Sequence, residues 1–487
     1  MPIVAVDDTD SRTDGMCTTY VATRLAERLG AAAGRVERRL LVRLNPAVKH
    51  KTRGNAAVAL HVTGASPPDV LSIARETVRE FAVVGDDRTS PGVVVADLDV
   101  SPNPDGPDVG AEPDDNLAMA IPDDVAAFAG RALRERLTID EAVAVADAHG
   151  FQHAAVGDTA ETEHANSPPH PGRGRIGALA AIGAPAAFDD WTVEHVSYRE
   201  LHRCGTPRDV DADSVFAAAD EGYPTVWDTV DRGTGEVVCV PNAPGPILHG
   251  IRGDDAEACR SVAGAIGSEP VNRRATFLTN QGTDAHLADG RIGDLRDGAG
   301  YRVEGVVADD PETKRGGHVH VPLVDPVDPA DSAGSTELIG SAGSTTTTGH
   351  GDLTCVAFEP TGRFRDRIRA LRPGDHVVVC GECEHRSVGD GGALRETLKL
   401  EKFAVRDLVR TERSTPTCPD CGRRMSSAGR DQGYRCRDCG TAAPGKVDRS
   451  IDRSIEIGWY EVPPAARRHV AKPLVRGGFD APVHPER

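Results

Sequence analysis

The sequence predicts a multi-domain α+β protein with an N-terminal α/β domain, a ferredoxin-like domain, an OB-fold β-barrel and a C-terminal zinc ribbon. The chain has 487 residues, which is too long for a single hydrophobic core. Strands and helices alternate at first, mainly short strands follow, and four cysteines in two close pairs come near the C-terminus. The predicted boundaries are 1–188, 190–285, 298–412 and 413–445, with a C-terminal tail at 446–487.

Composition and charge narrow the class of protein further. The chain carries a formal net charge of −19 and contains 49 arginines against seven lysines. An acidic, lysine-poor surface suits high salt, in which screening over a few Å removes the repulsion between carboxylates. The competing interpretation is an acidic protein that avoids nucleic acid. Because net charge constrains only solubility and non-specific binding, a local arginine-rich face can still bind RNA.

The sequence shows no sign of membrane insertion or export. No run approaches 18 consecutive apolar residues, and the N-terminus lacks the basic and apolar regions of a signal peptide. The 11 cysteines are odd in number and mostly scattered. We therefore expect a cytoplasmic protein in a reducing cytosol, with four of its cysteines bound to a metal.

The first domain begins with an acidic turn. Asp7, Asp8 and Asp10 follow a short apolar strand at residues 3–6, and a helix is predicted at about residues 18–29. Oxygen ligands for a hard cation would then lie beside the free N–H groups of a helix start, which favours Mg²⁺ and phosphate. The alternative is an Asx-rich turn that caps a helix. Three adjacent carboxylates repel one another, and a turn does not need three.

A glycine-rich stretch at residues 172–177 opens a predicted alanine-rich helix at residues 177–182. The stretch matches the dinucleotide-binding fingerprint by letter, but a Pro-rich loop precedes it where that fingerprint needs a strand. No Rossmann fold is therefore predicted. With Arg173 and Arg175 beside it, the stretch is either an anion site or a tight packing turn.

The second domain is predicted to follow the order β-α-β-β-α-β, which is the ferredoxin-like pattern. The predicted strands are 192–198, 225–230, 236–240 and 275–279, and the predicted helices are 213–220 and 255–266. Arg252 is placed in a loop before the second helix, where a ligand contact and a plain turn are both open. The polar run from Asn280 to His286 follows the last strand, as a linker or as a segment that lines a site.

The third domain is predicted to have five short strands with a helix after the third, which is the order of the OB-fold, a common oligonucleotide binder. The predicted strands are 301–307, 318–324, 353–358, 375–380 and 398–405, and the predicted helix is 362–371. Residues 326–350 are rich in Ser, Thr, Gly, Pro and Asp and predict a disordered insertion at a hairpin tip. The CxxC pair of Cys380 and Cys383 is interpreted as incidental, because the domain has no second pair.

The predicted zinc ribbon rests on two CxxC pairs. Cys418 and Cys421 are separated from Cys436 and Cys439 by 14 residues, one short of the usual spacing. Four thiolates complete a tetrahedral zinc site. The alternative is two disulfides, which a reducing cytosol disfavours. A module this short buries little apolar surface, so zinc binding of about 10–16 kcal/mol must supply its folding free energy.

The C-terminal tail predicts a local basic patch in an otherwise acidic chain. The patch comprises Trp459, Tyr460, Arg467, Arg468, Lys472 and Arg476, with Glu461 as the one acidic residue between its ends. Aromatic rings next to basic groups suit base stacking and phosphate contact. The alternative is an ordinary docked tail.

Five of these stretches together carry a resemblance to a known family. They are Asp7-Asp8-Thr9-Asp10-Ser11 with Gly15 to Tyr20, residues 172–183, 250–253 and 279–286, and the four-cysteine cluster. In this order, and over nearly the whole chain, they resemble the archaeal tRNA(Ile) 2-agmatinylcytidine synthetases, with a sequence of haloarchaeal type.

The resemblance implies a ligase that uses ATP to join agmatine to the 2-position carbon of the wobble cytidine of a minor isoleucine tRNA. The product, 2-agmatinylcytidine, forms through a phosphorylated cytidine and changes codon reading from AUG to AUA. The resemblance also implies a kinase-like N-terminal domain and the cofactors ATP, Mg²⁺ and Zn²⁺. The expected partners are tRNA, ATP and agmatine, with no membrane and no obligate protein partner.

The site residues implied by the resemblance fall into three sets. Asp7, Asp8 and Asp10 would hold Mg²⁺ and act in catalysis with Thr18, which matches the threonine that the family enzyme phosphorylates on itself. The ATP-binding candidates are Thr9, Ser11, Gly15, Gly172, Arg173, Gly174 and Gly177. The RNA-binding candidates are Arg252, Trp459, Tyr460, Arg467, Arg468 and Lys472. Agmatine is dicationic and requires carboxylates, of which Asp284 is the one suggested.

Two functions of other classes stay open on the residues alone. One is a non-catalytic single-strand binder built on the OB-fold and the ribbon, and the other is an ATP-dependent phosphotransferase that acts on another RNA. A binder has no use for the three aspartates of the acidic turn. Dependence of ATP turnover on agmatine separates the second alternative from the ligase.

Overall fold

The computed structural model describes most of the chain. The described residues are 1–32, 34–49, 54–100, 113, 115–157, 171–326, 352–388, 393–468 and 470–487. All of the insertion predicted at 326–350 except residue 326 lies outside them.

One nine-stranded sheet dominates the N-terminal half. Its strands in chain order are β1 (Pro2–Asp7), β2 (Arg35–Arg43), β3 (Ala56–Thr63), β4 (Gly92–Asp97), β5 (Gln152–Ala155), β6 (Thr192–Tyr198) and β7 (Val226–Trp227), then, after the separate hairpin β8 (Val230–Asp231) and β9 (Glu236–Val237), β10 (Ile247–Gly253) and β11 (Arg273–Thr279). The spatial order is β5-β4-β1-β3-β2-β11-β6-β10-β7.

The sheet is continuous across the predicted boundary between the first two domains. Strand β11, the last of the second domain, pairs in parallel with β2 of the first, with Leu278 opposite Leu40. Both leucines are buried in the same apolar core. The two predicted domains therefore share one sheet and one core, a long-range pairing that no local sequence pattern signals.

Helices cover both faces of this sheet. They are α1 (Thr18–Ala31), α2 (Pro67–Phe81), α3 (Asp115–Ala120), α4 (Asp123–Ala132), α5 (Ile139–Ala148), α6 (Gly174–Ala187), α7 (Ala212–Gly222) and α8 (Ala256–Ala265). Val4 and Val6 of β1 pack in the core that contains α1 and α2, whereas Ile3 and Ala5 pack in the core of the opposite face. Because β1 is buried on both faces, its sequence is continuously apolar and does not alternate.

Strand β10 differs from the prediction and places Arg252 in a strand, where the sequence had suggested a loop. Residues 247–253 contain two glycines and a histidine, which lower the local strand propensity. Pairing with β6 along most of its length nevertheless holds the segment extended, with Gly250 opposite Val196. The tertiary partner therefore overrides the local preference.

The second half is built mainly of strands around its own core. The elements are β12 (Leu287–Gly290), β13 (Gly300–Val307), β14 (Glu312–Thr313), β15 (Val319–Val324), β16 (Leu353–Ala357), α9 (Phe364–Arg369), β17 (His376–Val388) and β18 (Ala393–Asp407). Strand β13 pairs with β15 and β17, and β18 pairs with β16 and β17. Strands β17 and β18 are longer than predicted because they form one antiparallel hairpin.

The zinc ribbon and the C-terminal tail complete the chain. The ribbon contains β19 (Thr411–Ser414), β20 (Ser426–Ser427), β21 (Tyr434–Arg435), β22 (Ala442–Ala443) and β23 (Val447–Ser450), and the tail contributes β24 (Gly458–Glu461) and β25 (Val483–His484). Strand β24 adds to the second sheet beside β18, so the tail is part of that sheet. Among the described residues, no helix is long and apolar enough to span a membrane.

Candidate active site

The acidic turn lies at the end of β1 in a strained and largely buried conformation. Asp8 adopts a φ of +61°, in the left-handed region that residues with a side chain rarely occupy. Its backbone N–H donates to the Oδ1 atom of Asp7 at 2.6 Å, and its carboxylate is paired with Arg173. All three aspartates of the turn are buried. A buried cluster of acids held in a strained turn is typical of a functional site.

Burial and mutual repulsion make this turn costly to ionise. Burial raises the pKa of Asp7 well above its usual range, and the charge of Asp8 raises it further. Burial also raises the pKa of Asp8 to about 6, although the guanidinium of Arg173 opposes the shift. Three carboxylates with oxygen donors in one turn are the ligand type that a hard divalent cation prefers.

A cavity of about 610 Å³ opens in front of the acidic turn. Asp7, Asp8 and Asp10 line this cavity. Arg173 and Gly177, at the start of α6, line it as well. Further polar residues in its lining, which sequence analysis missed, are Lys49, Asn55, Glu135, Arg136, Thr138 and Asp140. No sequence motif groups these residues, because they come from separate connections that only the fold brings together.

The glycines at the start of α6 allow the helix to approach the acidic turn. A Cβ atom at Gly174 would lie 2.4 Å from the backbone oxygen of Asp7, and one at Gly177 would lie 2.0 Å from its Oδ2 atom. Gly172 has a φ of +72°, which favours glycine. The glycine motif therefore brings the α6 N-terminus, with its positive dipole end, against the carboxylates and the cavity.

The hydroxyl residues of the turn make hydrogen bonds within the protein. Thr9 is fully buried, and its Oγ1 atom donates to the Oγ1 atom of Thr18 at 3.1 Å. Ser11 is also buried and donates to Asp86 at 2.6 Å. Gly15, with a φ of +91°, accepts a hydrogen bond from the Ser11 backbone at 2.8 Å. The hydroxyls of Thr9 and Ser11 therefore help to hold the turn in shape, and their contact with ATP stays a prediction.

Thr18 is the first residue of α1, and the N-cap position belongs to Cys17, whose side chain makes no capping bond. The hydroxyl of Thr18 is therefore not the N-cap group of α1. Thr18 lines a second, smaller cavity of about 170 Å³ together with Arg43 and Glu194. Asp10 and Gly54 line both cavities, so the two meet at these residues.

The polar run from Asn280 to His286 joins the two parts of the sheet around Arg43. The Asn280 side chain accepts from the Arg43 backbone N–H at 2.7 Å and donates to its carbonyl at 3.0 Å. The ring of His286 bonds to the same carbonyl at 3.1 Å, and burial lowers the pKa of this histidine to about 4. The run is therefore a buried clasp, and the alternative of an exposed linker is wrong.

Asp284 does not match its suggested role as an agmatine ligand. Both of its carboxylate oxygens accept from the buried ammonium of Lys402, each at 2.8 Å. The backbone N–H of Lys472 also donates to Asp284, at 2.7 Å. This carboxylate is used to dock the second sheet and the tail against the end of β11.

The predicted RNA-binding patch of the C-terminal tail does not form an exposed surface. Trp459 and Tyr460 are buried, and Trp459 donates to Asp480 at 2.9 Å. Arg467 is buried between Asp228 and Glu461, at 2.7 and 2.8 Å. The prediction of an exposed patch is wrong, because a basic residue looks the same in sequence whether its partner is a phosphate or a carboxylate.

Two further members of the RNA-binding prediction, Arg468 and Arg252, are also held by acidic partners. Arg468 pairs with Glu401 at 2.6 Å and with Glu382 at 3.2 Å. Arg252 lies 3.5 Å from Glu194 within the shared sheet. Arg468 and Arg252 therefore pair with carboxylates within the protein and connect its structural units.

The four cysteines of the ribbon converge as their spacing predicts. The Sγ atoms of Cys418, Cys421, Cys436 and Cys439 all lie within 4.8 Å of one another. A set of four thiolates at such distances fits tetrahedral Zn²⁺.

Fold and site together define a multi-domain α+β protein with a zinc ribbon and an acidic cavity large enough for a nucleotide. Family models of the TiaS TCKD domain, the TiaS FLD domain and the TiaS C-terminal zinc ribbon domain match residues 3–158, 172–286 and 415–455. The isoleucine-tRNA 2-agmatinylcytidine synthetase TiaS of Haloquadratum walsbyi is 50% identical over the whole of both chains. The protein belongs to the TiaS family.

Other TiaS proteins are similar to this chain over comparable lengths. The TiaS of Methanosarcina mazei is 39% identical over 97% of each chain. Among solved structures, a complex of TiaS with its isoleucine tRNA and ATP matches with 36% identity, a TM-score of 0.77 and coverage of 100% of this chain and 99% of the other. A complex of TiaS with the same tRNA, AMPCPP and agmatine matches with 33% identity, a TM-score of 0.75 and coverage of 100% and 99%.

Proposed function

We propose that the protein is an ATP-dependent ligase that joins agmatine to the wobble cytidine of a minor isoleucine tRNA to form 2-agmatinylcytidine. The observation that carries this proposal is full-length similarity to TiaS proteins, whose solved complexes contain an isoleucine tRNA, ATP and agmatine. The acidic cavity beside the α6 N-terminus provides a place for the nucleotide. The modification would change codon reading from AUG to AUA, in the cytoplasm.

The chemistry explains why ATP is required. An amine can replace the oxygen at carbon 2 of cytosine only if that oxygen becomes a good leaving group, so it is first phosphorylated. Phosphoryl transfer relies on positioning and on neutralisation of charge. The cytidine must also leave its stack to reach a buried site.

The acidic turn fits Mg²⁺ by the chemistry of its donors. Asp7, Asp8 and Asp10 offer carboxylate oxygens, and a bound cation would offset the cost of ionising Asp7 and Asp8, whose pKa burial raises. These three residues would hold the ion, which when bound supplies charge neutralisation for the phosphates. Arg173 and the N–H groups at the start of α6 would orient the phosphates in the same cavity.

Thr18 is the proposed acceptor of a phosphoryl group within the protein. Its oxygen accepts a hydrogen bond from Thr9, which fixes the position of the hydroxyl at the start of α1. Thr18 and Asp10 line the same smaller cavity, so the hydroxyl lies on the side of the cavity where the cation and the phosphates would be held.

The finer domain assignments are also proposals. We propose a kinase-like domain at residues 1–188, as the family resemblance implies, and a ferredoxin-like unit at 190–285, supported by the sheet order β11-β6-β10-β7. An OB-fold at 298–412 is supported by the mutual pairing of β13, β15, β16, β17 and β18. We further propose that the zinc ribbon contacts tRNA, because residues 410–453 contain ten basic against six acidic residues in a chain of net charge −19.

Mass analysis of the minor isoleucine tRNA after incubation with the protein, ATP and agmatine tests the proposal. The expected result is an agmatine adduct on one cytidine, absent when ATP or agmatine is omitted. A protein that binds the tRNA but never modifies it would be the single-strand binder. ATP turnover that does not depend on agmatine would indicate a phosphotransferase that acts on another RNA.

A further inference from the structure

Arg43 lies near the junction of the two cavities. It lies at the end of β2, with about a quarter of its side chain exposed, and it lines the smaller cavity with Thr18. Its Nη1 atom lies against Gly54: a Cβ atom added to that glycine would stand 2.8 Å from it. Because Gly54 lines both cavities, the guanidinium lies in the smaller cavity close to the place where the two meet.

The guanidinium is held in one orientation by residues distant in sequence. Its Nε atom donates to Oε1 of Gln281 at 2.8 Å, and its Nη2 atom lies 3.4 Å from Glu194. The clasp formed by Asn280 and His286 fixes the backbone of Arg43 itself. A planar group held in this way meets an anion without a further loss of rotamer freedom.

The local charge leaves this arginine able to attract an anion. Glu194 is shared between Arg43 and Arg252, at 3.4 and 3.5 Å, so one buried carboxylate faces two guanidinium groups. Asp10, which lines both cavities, belongs to the acidic turn that would hold the nucleotide phosphates through a cation. Positive charge on the far side of the transferring group is what phosphoryl transfer requires.

We propose that Arg43 is a catalytic residue that contacts the phosphoryl group as it passes from ATP to Thr18, an inference that rests on the proposed function. In this step the Oγ1 atom of Thr18 bonds to phosphorus while the bond from phosphorus to the bridging oxygen breaks. The electron pair of the broken bond stays on the leaving phosphate, and the hydroxyl proton passes to a non-bridging oxygen of the transferred phosphoryl group. Arg43 stabilises the charge on the oxygens of the transferring group, and Gln281 positions Arg43.

The test is the rate of labelling of the purified full-length protein by γ-labelled ATP, measured as a function of ATP concentration. We expect Arg43→Gln to lower kcat at least about a hundredfold, with a change of less than about threefold in KM, because the larger cavity holds the nucleotide. Arg43→Lys keeps the positive charge but not the planar, two-pronged guanidinium, and it recovers only part of the labelling rate. Gln281→Leu lowers kcat about tenfold and leaves KM unchanged.

Two controls separate a catalytic role from a structural one. Arg35→Gln removes another arginine of β2, exposed and paired with Glu37, and leaves labelling unchanged. Added guanidinium ion restores labelling in Arg43→Ala if the missing group acts on the phosphoryl group, whereas a folding defect does not respond in this way. If Arg43→Gln does not fold, the kinetics of Arg43→Lys and the rescue experiment carry the test.

A kcat within about threefold of wild type in Arg43→Gln or Arg43→Lys overturns the proposal, as does a rise confined to KM or an absence of rescue. Failure of the proposed function is distinguishable, because it is a lack of agmatine adduct on tRNA with the unaltered protein. Labelling at a site other than Thr18 would also overturn the step as written.

Discussion

The acidic turn and the C-terminal tail are both dense in charge, yet the structure compensates them differently. In the turn, three aspartates are buried together, Asp8 pairs with Arg173, and burial raises the pKa of Asp7 and Asp8. In the tail, Arg467 is flanked by two carboxylates, and their charges raise its pKa against the effect of burial.

This difference teaches how to tell a site from a joint between structural units. Charge that stays uncompensated next to a cavity costs stability and is retained for chemistry. Charge that is matched within the protein joins segments and is unavailable to a ligand. The same distinction separates Arg43, whose carboxylate partner is shared with a second arginine, from Lys402, whose ammonium is fully matched by Asp284.

The largest expected effect is that of Asp7→Asn. ATP turnover should fall about a thousandfold or more, because a phosphoryl-transfer site loses part of its charge neutralisation. The free energy of unfolding should stay equal or rise, because burial already disfavours the charged form of Asp7. Turnover assays and urea denaturation on the same preparation measure both. A large loss of stability would mean that the turn, like the tail, is a structural joint.

Arg467→Met, in contrast to Asp7→Asn, should mainly lower the free energy of unfolding. It leaves Asp228 and Glu461 buried without their partner, so we expect a loss of about 3–5 kcal/mol in the free energy of unfolding. Arg487→Met is the matched control, expected to cost about 1 kcal/mol or less because both Arg487 and its partner Asp220 are exposed. Equal losses in the two variants would refute the distinction between them.

Acid should weaken the shared sheet. Burial lowers the pKa of His249 and of His286 to about 4. Since the unfolded chain binds these protons near pH 6.5, stability is full above that pH and falls as the pH drops towards 4. Each histidine contributes about 1.4 kcal/mol per pKa unit of its shift. Denaturation curves at pH 7.5, 6.5 and 5.5 measure the slope, and a flat profile would contradict the burial of neutral histidines.

The smallest expected effect is that of Trp459→Phe. The change removes the hydrogen bond to Asp480 and should cost about 1 kcal/mol of stability. Affinity for tRNA should stay within about twofold, because the ring is buried. If Trp459 stacked on a base, the loss would be about 1–3 kcal/mol of binding free energy. A filter-binding titration distinguishes the two outcomes.

Residue pattern alone determined the elements whose signals are local. The apolar run of β1 predicts a buried strand, and the predicted helix at 18–29 matches α1 closely. The spacing of the four cysteines predicts a site that the Sγ positions fit. Such signals are readable because strand burial, helix periodicity and zinc knuckles each depend on a few neighbouring residues.

Only the tertiary structure decided which polar residues face a cavity and which face one another. Arg43 and Asn280 are 237 positions apart, and no local rule predicts that one fixes the other. The glycines of α6 follow a nucleotide-binding pattern. One role of Gly177, however, is to leave space for the carboxylate of Asp7. The basic residues of the tail could have met phosphate, but the fold supplied carboxylates. Side-chain type sets what a residue can bind, whereas long-range packing sets what lies within reach of it.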